Sequence, residues 1–232
     1  MRCARLLLCV TPTSLHTPPP VYFPAVKPIP VVLLALALAV GRADAQQAVP
    51  TVPTQALVGQ QVALLPLTLI AADSTLQSDT LYAPYRERRP ALTWADSVIG
   101  EAFTGRAPEV RWVLPAELRK AARRSPGIVG DPDAMGQAAL RSPKLRDIPD
   151  PLRSSLRNLM AVVGGRAAMV PAALAFARED DGRIRADLSL VVADTRKGNV
   201  LWRALASGRG ATPSAALQSA LDGSLPVDLT AP

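Results

Sequence analysis

The hydrophobic positions of the carboxy-terminal third recur at every second residue. Apolar side chains alternate with polar ones over 184–192 and again over 200–206, and this period predicts two half-buried strands. An apolar segment at 166–177 predicts a strand before them, in which Pro171 requires either an edge position or a bulge. Thr212 and the proline after it open a last helix. This third of the chain therefore predicts a β-meander with a closing helix.

Upstream of the meander, most of the apolar positions follow the helical period of 3.6 residues. Residues 61–70 are a nearly continuous apolar run, typical of a strand covered on both faces, and 110–114 predict a second, short strand. Residues 72–90 predict a loop between them. Helices are predicted where a capping residue or a proline precedes a helical stripe, namely at Thr93, Pro115, Asp131 and Asp150.

The order of these elements predicts the fold class α/β (α+β): a mixed β-sheet with flanking helices, a helical insert, and a C-terminal β-meander plus closing helix. We expect a single domain at 61–226, with a helical, arginine-rich insert at 116–165. A flexible leader at 46–60 is expected before it and a tail at 227–232 after it. Because prolines interrupt 125–149, we expect that segment to add little to the core and to carry the binding of a partner.

The amino-terminal segment predicts export. The apolar run at 31–40 is too short to span a bilayer, and it is followed by small residues ending at Ala45. We therefore predict a signal peptide at 1–45, cleaved after Ala45, with an uncleaved anchor as the alternative. A start at Val26 instead of Met1 would give a more compact signal. The expected location is the periplasm or the outer-membrane periphery, with no transmembrane span in the mature chain.

Downstream of the predicted signal, the chain contains neither cysteine nor histidine, and its 22 basic and 18 acidic residues give a net charge of +4. This mild charge is not typical of a nucleic-acid-binding protein. Without cysteine and histidine, most nucleophilic, acid–base and zinc chemistry is excluded, so we predict no enzyme activity, no cofactor and no metal. A hydrolase that uses Glu101, Glu109 or Glu117 is a less favoured alternative, because Glu101 and Glu117 occupy ordinary helix positions.

A hairpin motif at 194–202 joins the last two predicted strands. In such a turn Asp194 can accept backbone amides, Gly198 can adopt a positive φ, and Trp202 can pack against the closing helix. This hairpin, the sequence VALLPL at 62–67 and the alanine-rich closing helix together make the chain resemble the CsgG and TolB amino-terminal group.

The resemblance covers the first strand and the region from about 166 to 225. It implies a small α/β domain of the periplasm or outer membrane, of a kind often found in secretion or envelope assemblies, and hence a protein partner in the cell envelope. The chain departs from the lipoprotein members of the group because no cysteine follows the apolar run of its signal. Attachment by a lipid is therefore not expected.

Aromatic and arginine side chains mark the candidate surface for a partner. If Trp94 is exposed near Tyr82 and Tyr85, that loop offers an apolar binding surface. The residues predicted to bind a partner are Tyr82, Tyr85, Arg86, Arg88, Arg89, Trp94, Arg123 and Arg124. The alternative is a binding module for anionic polysaccharide or cell wall. It would use the arginine cluster at 86–89 and residues 106–157, which hold 11 basic and 6 acidic side chains. Added salt should weaken binding to a polyanion steeply but leave an apolar protein interface largely unchanged.

Overall fold

A mixed six-stranded sheet forms the centre of the computed structural model, which describes residues 51–225. The strands lie in the order β3-β1-β4-β5-β6, and β2 pairs with β4 outside this path. Their bounds are β1 Gln61–Leu64, β2 Ile70–Ala72, β3 Arg111–Val113, β4 Ala167–Arg178, β5 Ile184–Asp194 and β6 Asn199–Gly210. The predicted fold class is confirmed. The predicted signal peptide, residues 46–50 of the leader and the tail lie outside the described residues.

Strand β1 pairs in parallel with both β3 and β4, whereas β4, β5 and β6 form the predicted antiparallel meander. The prediction of a single strand at 61–70 is wrong. Two strands, β1 and β2, pair with the two ends of β4, and residues 65–69 separate them. That stretch contains Pro66, which has no backbone N–H to donate to a ladder. The break therefore lies where the ladder cannot be continuous.

Five α-helices flank the sheet in the described part of the chain: α1 Ser74–Gln77, α2 Arg88–Arg106, α3 Pro115–Arg124, α4 Leu152–Val163 and α5 Pro213–Ser224. Two sequence predictions are wrong in this part of the chain. The loop predicted at 72–90 contains α1, a 3-10 helix at Thr80–Tyr85 and the first residues of α2. The helix predicted from Asp131 is only a 3-10 turn at Pro132–Ala134.

Helix α2 begins five residues before the predicted cap at Thr93. The Thr93 hydroxyl does not cap the helix; it donates to the Arg89 carbonyl from the helix interior, at 3.1 Å. Threonine makes this bond to the preceding turn as readily as it caps, so its presence alone does not fix a helix start. The buried face of α2 nevertheless contains Ala95, Ile99 and Phe103, as the sequence predicts.

The first face of the sheet is covered by α2 and α5, and this side of the core includes Phe103, Leu188 and Leu217. Helix α5 lies very close to β6. A Cβ atom on Gly208 would collide with the backbone of Ala220, and the equivalent atom on Gly210 would meet another turn of α5. Both positions therefore require glycine because the helix backbone occupies the space of a side chain.

The second face is covered by α3, α4 and much of the insert, including Val129, Met135, Leu140 and Ile148, which are buried there. The expectation that 125–149 contributes little to the core is therefore wrong. Gln137 is completely buried, and its amide donates to the Pro66 carbonyl at 3.0 Å and to the Pro132 carbonyl at 2.8 Å. Prolines prevent a long helix in this segment, but they do not prevent its apolar side chains from covering the sheet.

The described part of the predicted leader, residues 51–60, packs against the domain. A 3-10 helix spans Thr54–Leu57, and Val52 and Leu57 are both buried. The Val52 amide donates to the Ser224 carbonyl at 2.9 Å, which joins this segment to the end of α5. The prediction of a flexible leader is therefore wrong for these residues, because their apolar side chains complete the first core.

Two bulges shape the meander. The register between β4 and β5 shifts at Pro171, so the predicted bulge is confirmed and the alternative edge position is wrong, since β4 is central. A second shift lies between β5 and β6 at Leu201. Because of it, Val200 packs toward the second core and Trp202 toward the first, although simple alternation predicts one face for both.

No helix within residues 51–225 is both long and apolar enough to cross a membrane.

Candidate docking surface on strand β6

The turn between β5 and β6 is held by one buried carboxylate. Asp194 Oδ1 accepts the backbone amides of Arg196 at 3.0 Å and Lys197 at 2.8 Å, and Gly198 completes the turn with φ +80°. The other oxygen, Oδ2, accepts Nε and Nη2 of Arg166 at 2.9 and 2.7 Å. These four bonds fix the start of β6 to the start of β4.

The ionisation of Asp194 follows from this geometry. Burial alone would raise the pKa of Asp194, but the Arg166 guanidinium and the amides of Lys197 and Arg196 favour the charged form and together lower it. The carboxylate is therefore charged at neutral pH and is fully used in holding the turn.

Two apolar side chains follow this turn at the surface. Leu201, at the bulge, is 55% exposed, and the neighbouring Trp202 is half-buried with its ring packed partly against the first core. Beside them lies a groove of about 440 Å³ whose other walls include Leu57, Arg166 and Lys197. The groove therefore combines an aromatic side, an apolar wall and a charged rim.

The outer edge of β6 is only partly covered. At its start, the Val200 amide donates to the Arg146 carbonyl and the Ile148 amide to the Gly198 carbonyl, both at 2.8 Å. Arg203 reaches over the same segment and donates to the carbonyls of Ser142 and, at 2.8 Å, Leu145. Past Val200, no strand among residues 51–225 pairs with this edge.

Two more cavities meet on the same strand. One, of about 500 Å³, lies along the edge between Pro143 and Leu201. The other, of about 590 Å³, lies on the second face of the sheet between Ala139 and Leu205, which is 57% exposed. With the groove at Trp202, three cavities border residues 201–205: the groove on the first face, one cavity at the edge and one on the second face. We call this region, residues 199–210 with the cavities beside them, the β6 surface.

The rim of the β6 surface is basic. The two segments that border it, 141–147 and 196–203, contain six basic side chains and one acid, Asp147. Five of the six basic side chains are exposed: Arg141, Lys144, Arg146, Arg196 and Lys197. An apolar centre thus has a rim of net positive charge.

The structure packs the predicted aromatic site into the first core. Tyr82 is buried, and its ring centroid lies 5.7 Å from that of Tyr85 and 6.1 Å from that of Phe176. Trp94 does lie near Tyr85, with centroids 4.5 Å apart, but it is only half-exposed. Burial raises the pKa of both tyrosines. Most of this aromatic area is therefore used to join the 3-10 helix, α2 and β4.

Two of the predicted arginines near this cluster bind backbone carbonyls. Arg86 donates to the carbonyls of Gln77 at 2.9 Å and Asp79 at 3.1 Å, and Arg88 donates to Thr68 at 2.9 Å. Arg89 is exposed.

The other two predicted arginines, Arg123 and Arg124, are exposed at the end of α3. That helix covers the second face of the sheet, whereas the aromatic cluster packs against the first. The predicted site residues therefore do not form one surface.

A partly buried ion-pair network was missed by the sequence analysis. Asp96 on α2 accepts the Leu67 amide at 2.8 Å and the Arg119 guanidinium at 2.5 Å, and Arg119 also binds Asp133 at 2.7 Å. Burial raises the pKa of Asp96, while the Leu67 amide and Arg119 oppose that rise. The only sequence signal was an acid on the apolar side of α2, next to Ala95.

The carboxylates proposed for a hydrolase do not assemble into a site of their own. Glu117 Oε2 accepts the Leu114 amide at 3.3 Å at the start of α3, and Glu101 and Glu109 are exposed. Over residues 51–225, no group of three or more histidine, cysteine, aspartate or glutamate side chains is placed to hold a metal ion.

No protein-family model matches the sequence, and no curated protein matches it. Among solved structures, a chain of the PelC dodecamer of Paraburkholderia phytofirmans is 14% identical with a TM-score of 0.34, covering 75% of this chain and 86% of that one. The lipoprotein GNA1162 of Neisseria meningitidis is 15% identical with a TM-score of 0.32, covering 65% and 81%. The LpoB C-terminal domain of Salmonella enterica is 12% identical with a TM-score of 0.30, covering 66% and 82%.

Proposed function

We propose that this chain is an exported, non-enzymatic protein of the cell envelope that binds a protein partner through the β6 surface. The observation that carries the proposal is the exposure of Leu201 and Leu205 on one strand, between three cavities. Apolar side chains that cluster at the surface within a polar rim are typical of interaction sites, and single scattered ones are not. The export pattern at 1–45 supports the location.

The energetics favour this strand as a contact. Burying apolar surface is worth about 25 cal/mol per Å², so covering two exposed leucines and the open side of a tryptophan would favour binding. Trp202 is already held by its neighbours, and the side chains around it would exclude water once a partner is seated. Little order would have to be imposed on the surface before binding.

The engagement of the carboxylates supports a function other than catalysis. Asp96 and Asp194 are each held by an arginine and by at least one backbone amide, and Glu179 binds Arg209 at 2.6 Å. An acid or base needs one carboxyl group free to exchange a proton with a substrate. These groups instead connect secondary-structure elements to one another.

The second candidate is an anionic polysaccharide, favoured by the basic rim of the same surface. Binding of such a polysaccharide would depend on charge and would weaken steeply with added salt. Binding through burial of Leu201 and Trp202 would change little with salt.

A crosslinking experiment tests the proposal. A photo-reactive amino acid replaces Leu201 in the full chain, and a matched variant carries it at Ile128, which is 59% exposed and lies in the insert. We expect a discrete protein adduct in the envelope fraction from the first variant only, retained at high salt. Absence of any adduct at position 201, or the same adducts at 128, contradicts the proposal. Loss of the adduct at high salt favours the charge-dependent alternative.

A further inference from the structure

We propose that the free edge of β6 binds an extended, acidic segment of the partner as an added β-strand. This inference rests on the proposed function and names the chemistry of the partner. Strand β6 has 12 residues, and past Val200 no strand within 51–225 satisfies its outward N–H and C=O groups. A row of such groups is a template for another strand, and added strands are a common mode of peptide binding.

The strand lacks most of the features that usually block its edge. Proteins protect edge strands by keeping them short, or by placing lysine or proline on them. β6 contains no lysine or proline and is about twice the usual strand length; of its two arginines, Arg203 binds carbonyls of the insert and Arg209 pairs with Glu179. Its one bulge is at Leu201, at the start of the open stretch, so the remaining edge to Gly210 is regular.

The chain itself already pairs with this edge where it can reach it. Asp147 and Asn199 form an antiparallel bridge, closed by the bonds from Val200 to Arg146 and from Ile148 to Gly198. The edge is therefore competent to form a ladder, and the open stretch continues directly from this short pairing.

The two faces of β6 would accommodate an added strand differently. On the first face, α5 packs closely over Gly208 and Gly210 and holds the strand in place. On the second face, Leu205 borders a cavity of about 590 Å³ walled by Ala173 and Ala175. Since side chains of a strand alternate between faces, every second residue of the added strand would lie on the face of this cavity, and a branched apolar residue next to Leu205 would border it.

The charge of the rim determines the other residues of the segment. Arg141, Lys144 and Arg146 are exposed beside the edge, and Arg196 and Lys197 are exposed at the turn. An approaching segment with acidic residues between its apolar ones would neutralise this charge and gain a faster association. The geometry thus points to a segment in which acidic and branched apolar residues alternate.

The test uses a fluorescent peptide of about eight residues that alternates glutamate and valine, added to the purified chain. A second peptide carries lysine for glutamate, and a third keeps the sequence but has alternate backbone amides methylated. We expect binding of the first peptide to be at least about tenfold tighter than that of either control. Amides of β6 between 203 and 209 should exchange more slowly with solvent when the first peptide is bound.

A matched pair of variants localises the binding. Leu205→Asp should weaken binding of the first peptide by about tenfold or more, because the substitution removes an apolar contact and adds repulsion from the peptide's glutamates. Ile128→Asp introduces the same charge at an equally exposed position and should leave it unchanged.

Equal binding of the methylated peptide, or protection that lies away from β6, overturns the inference. The inference is also overturned if polygalacturonate of equal charge displaces the first peptide while the amide exchange of β6 does not change. That result would indicate binding by charge alone. If the adduct at position 201 forms while the peptides fail, the docking function stands and strand addition is wrong. If neither is seen, both are wrong.

Discussion

The two faces of the sheet are covered in different ways. On the first face, α2 and α5 lie directly on the strands, and the helix backbones satisfy their own hydrogen bonds. On the second face, α3 and α4 cover only part of the sheet, and the irregular segment 125–149 covers more. A segment without regular structure must find donors for its carbonyls elsewhere. Gln137 and Arg203 supply several of them.

This difference has two consequences. The cover of the second face depends on a few polar contacts. Single substitutions in it should therefore destabilise the fold more than comparable substitutions in a helix. The cover of the second face is also incomplete. The irregular segment reaches across the sheet only as far as Ala139 and Ser142, and Leu205 beyond it stays exposed. The incomplete cover of one face thus produces the cavity that we assign to a partner.

The largest expected effect comes from removing the irregular cover. A variant that joins Arg124 to Asp150 through a short Gly-Ser linker loses four buried apolar side chains and the Gln137 bonds. We expect it to unfold, because several losses of about 2–5 kcal/mol each exceed the usual stability of a domain. Near-ultraviolet circular dichroism and thermal melting would test this. A cooperative transition close to that of the parent would show that 125–149 is dispensable.

A single core position in the same segment gives a smaller effect. Leu140 is completely buried against the second face, so Leu140→Ala should reduce the free energy of unfolding by about 2–5 kcal/mol. Ile128→Ala, in the same segment but 59% exposed, should change it by under about 0.5 kcal/mol. Chemical denaturation of both variants measures the contrast. Equal effects would mean that the segment does not pack as described.

The first face should be sensitive to added volume. Gly208→Ala places a Cβ against the α5 backbone, and separating helix from strand should cost about 1–3 kcal/mol. Gly105→Ala, where nothing lies near the added atom, is the control. If denaturation midpoints of the two variants coincide, the close approach of α5 to β6 is incorrect.

The smallest effect concerns the pH dependence of the β5–β6 turn. The pKa of Asp194 is lowered in the folded state. The charged carboxylate therefore stabilises the fold fully above its pKa in the unfolded chain, about 3.9, and this stabilisation is lost as the pH falls through the lower pKa of the folded state. Asp194→Asn should therefore be less stable at neutral pH and should lose less stability between neutral and acidic pH. Denaturation midpoints across that range would test it, and parallel curves for parent and variant would contradict it.

The meander could be predicted because its cause is local. Residues 184–192 alternate since one side of β5 needs apolar side chains at every second position, and the turn at Gly198 needs a residue tolerant of positive φ. The helix start at Arg88 could not be predicted, because the cap signal at Thr93 is equally compatible with a helix interior. Local patterns thus identify elements more reliably than their ends.

The β6 surface was beyond sequence analysis for a different reason. Leu205 looks like any apolar strand residue, and its exposure depends on how far a segment more than sixty residues earlier extends over the sheet. The pairing of Asp96 with Arg119 joins positions 23 residues apart through the packing of α2 and α3. Contacts of this kind are properties of the assembled layers, and no periodicity encodes them.

The bond from the Val52 amide to the Ser224 carbonyl brings the first and last parts of the described domain together. The domain is therefore suited to circular permutation: its two ends could be joined here, and new ends opened elsewhere, without disturbing any layer of the fold. The exposed turn at Asp180–Gly182 is a suitable place to reopen it. A force applied through the two joined ends would therefore act first on this bond and on the buried side chains of Val52 and Leu57, before it reached the strands of the sheet.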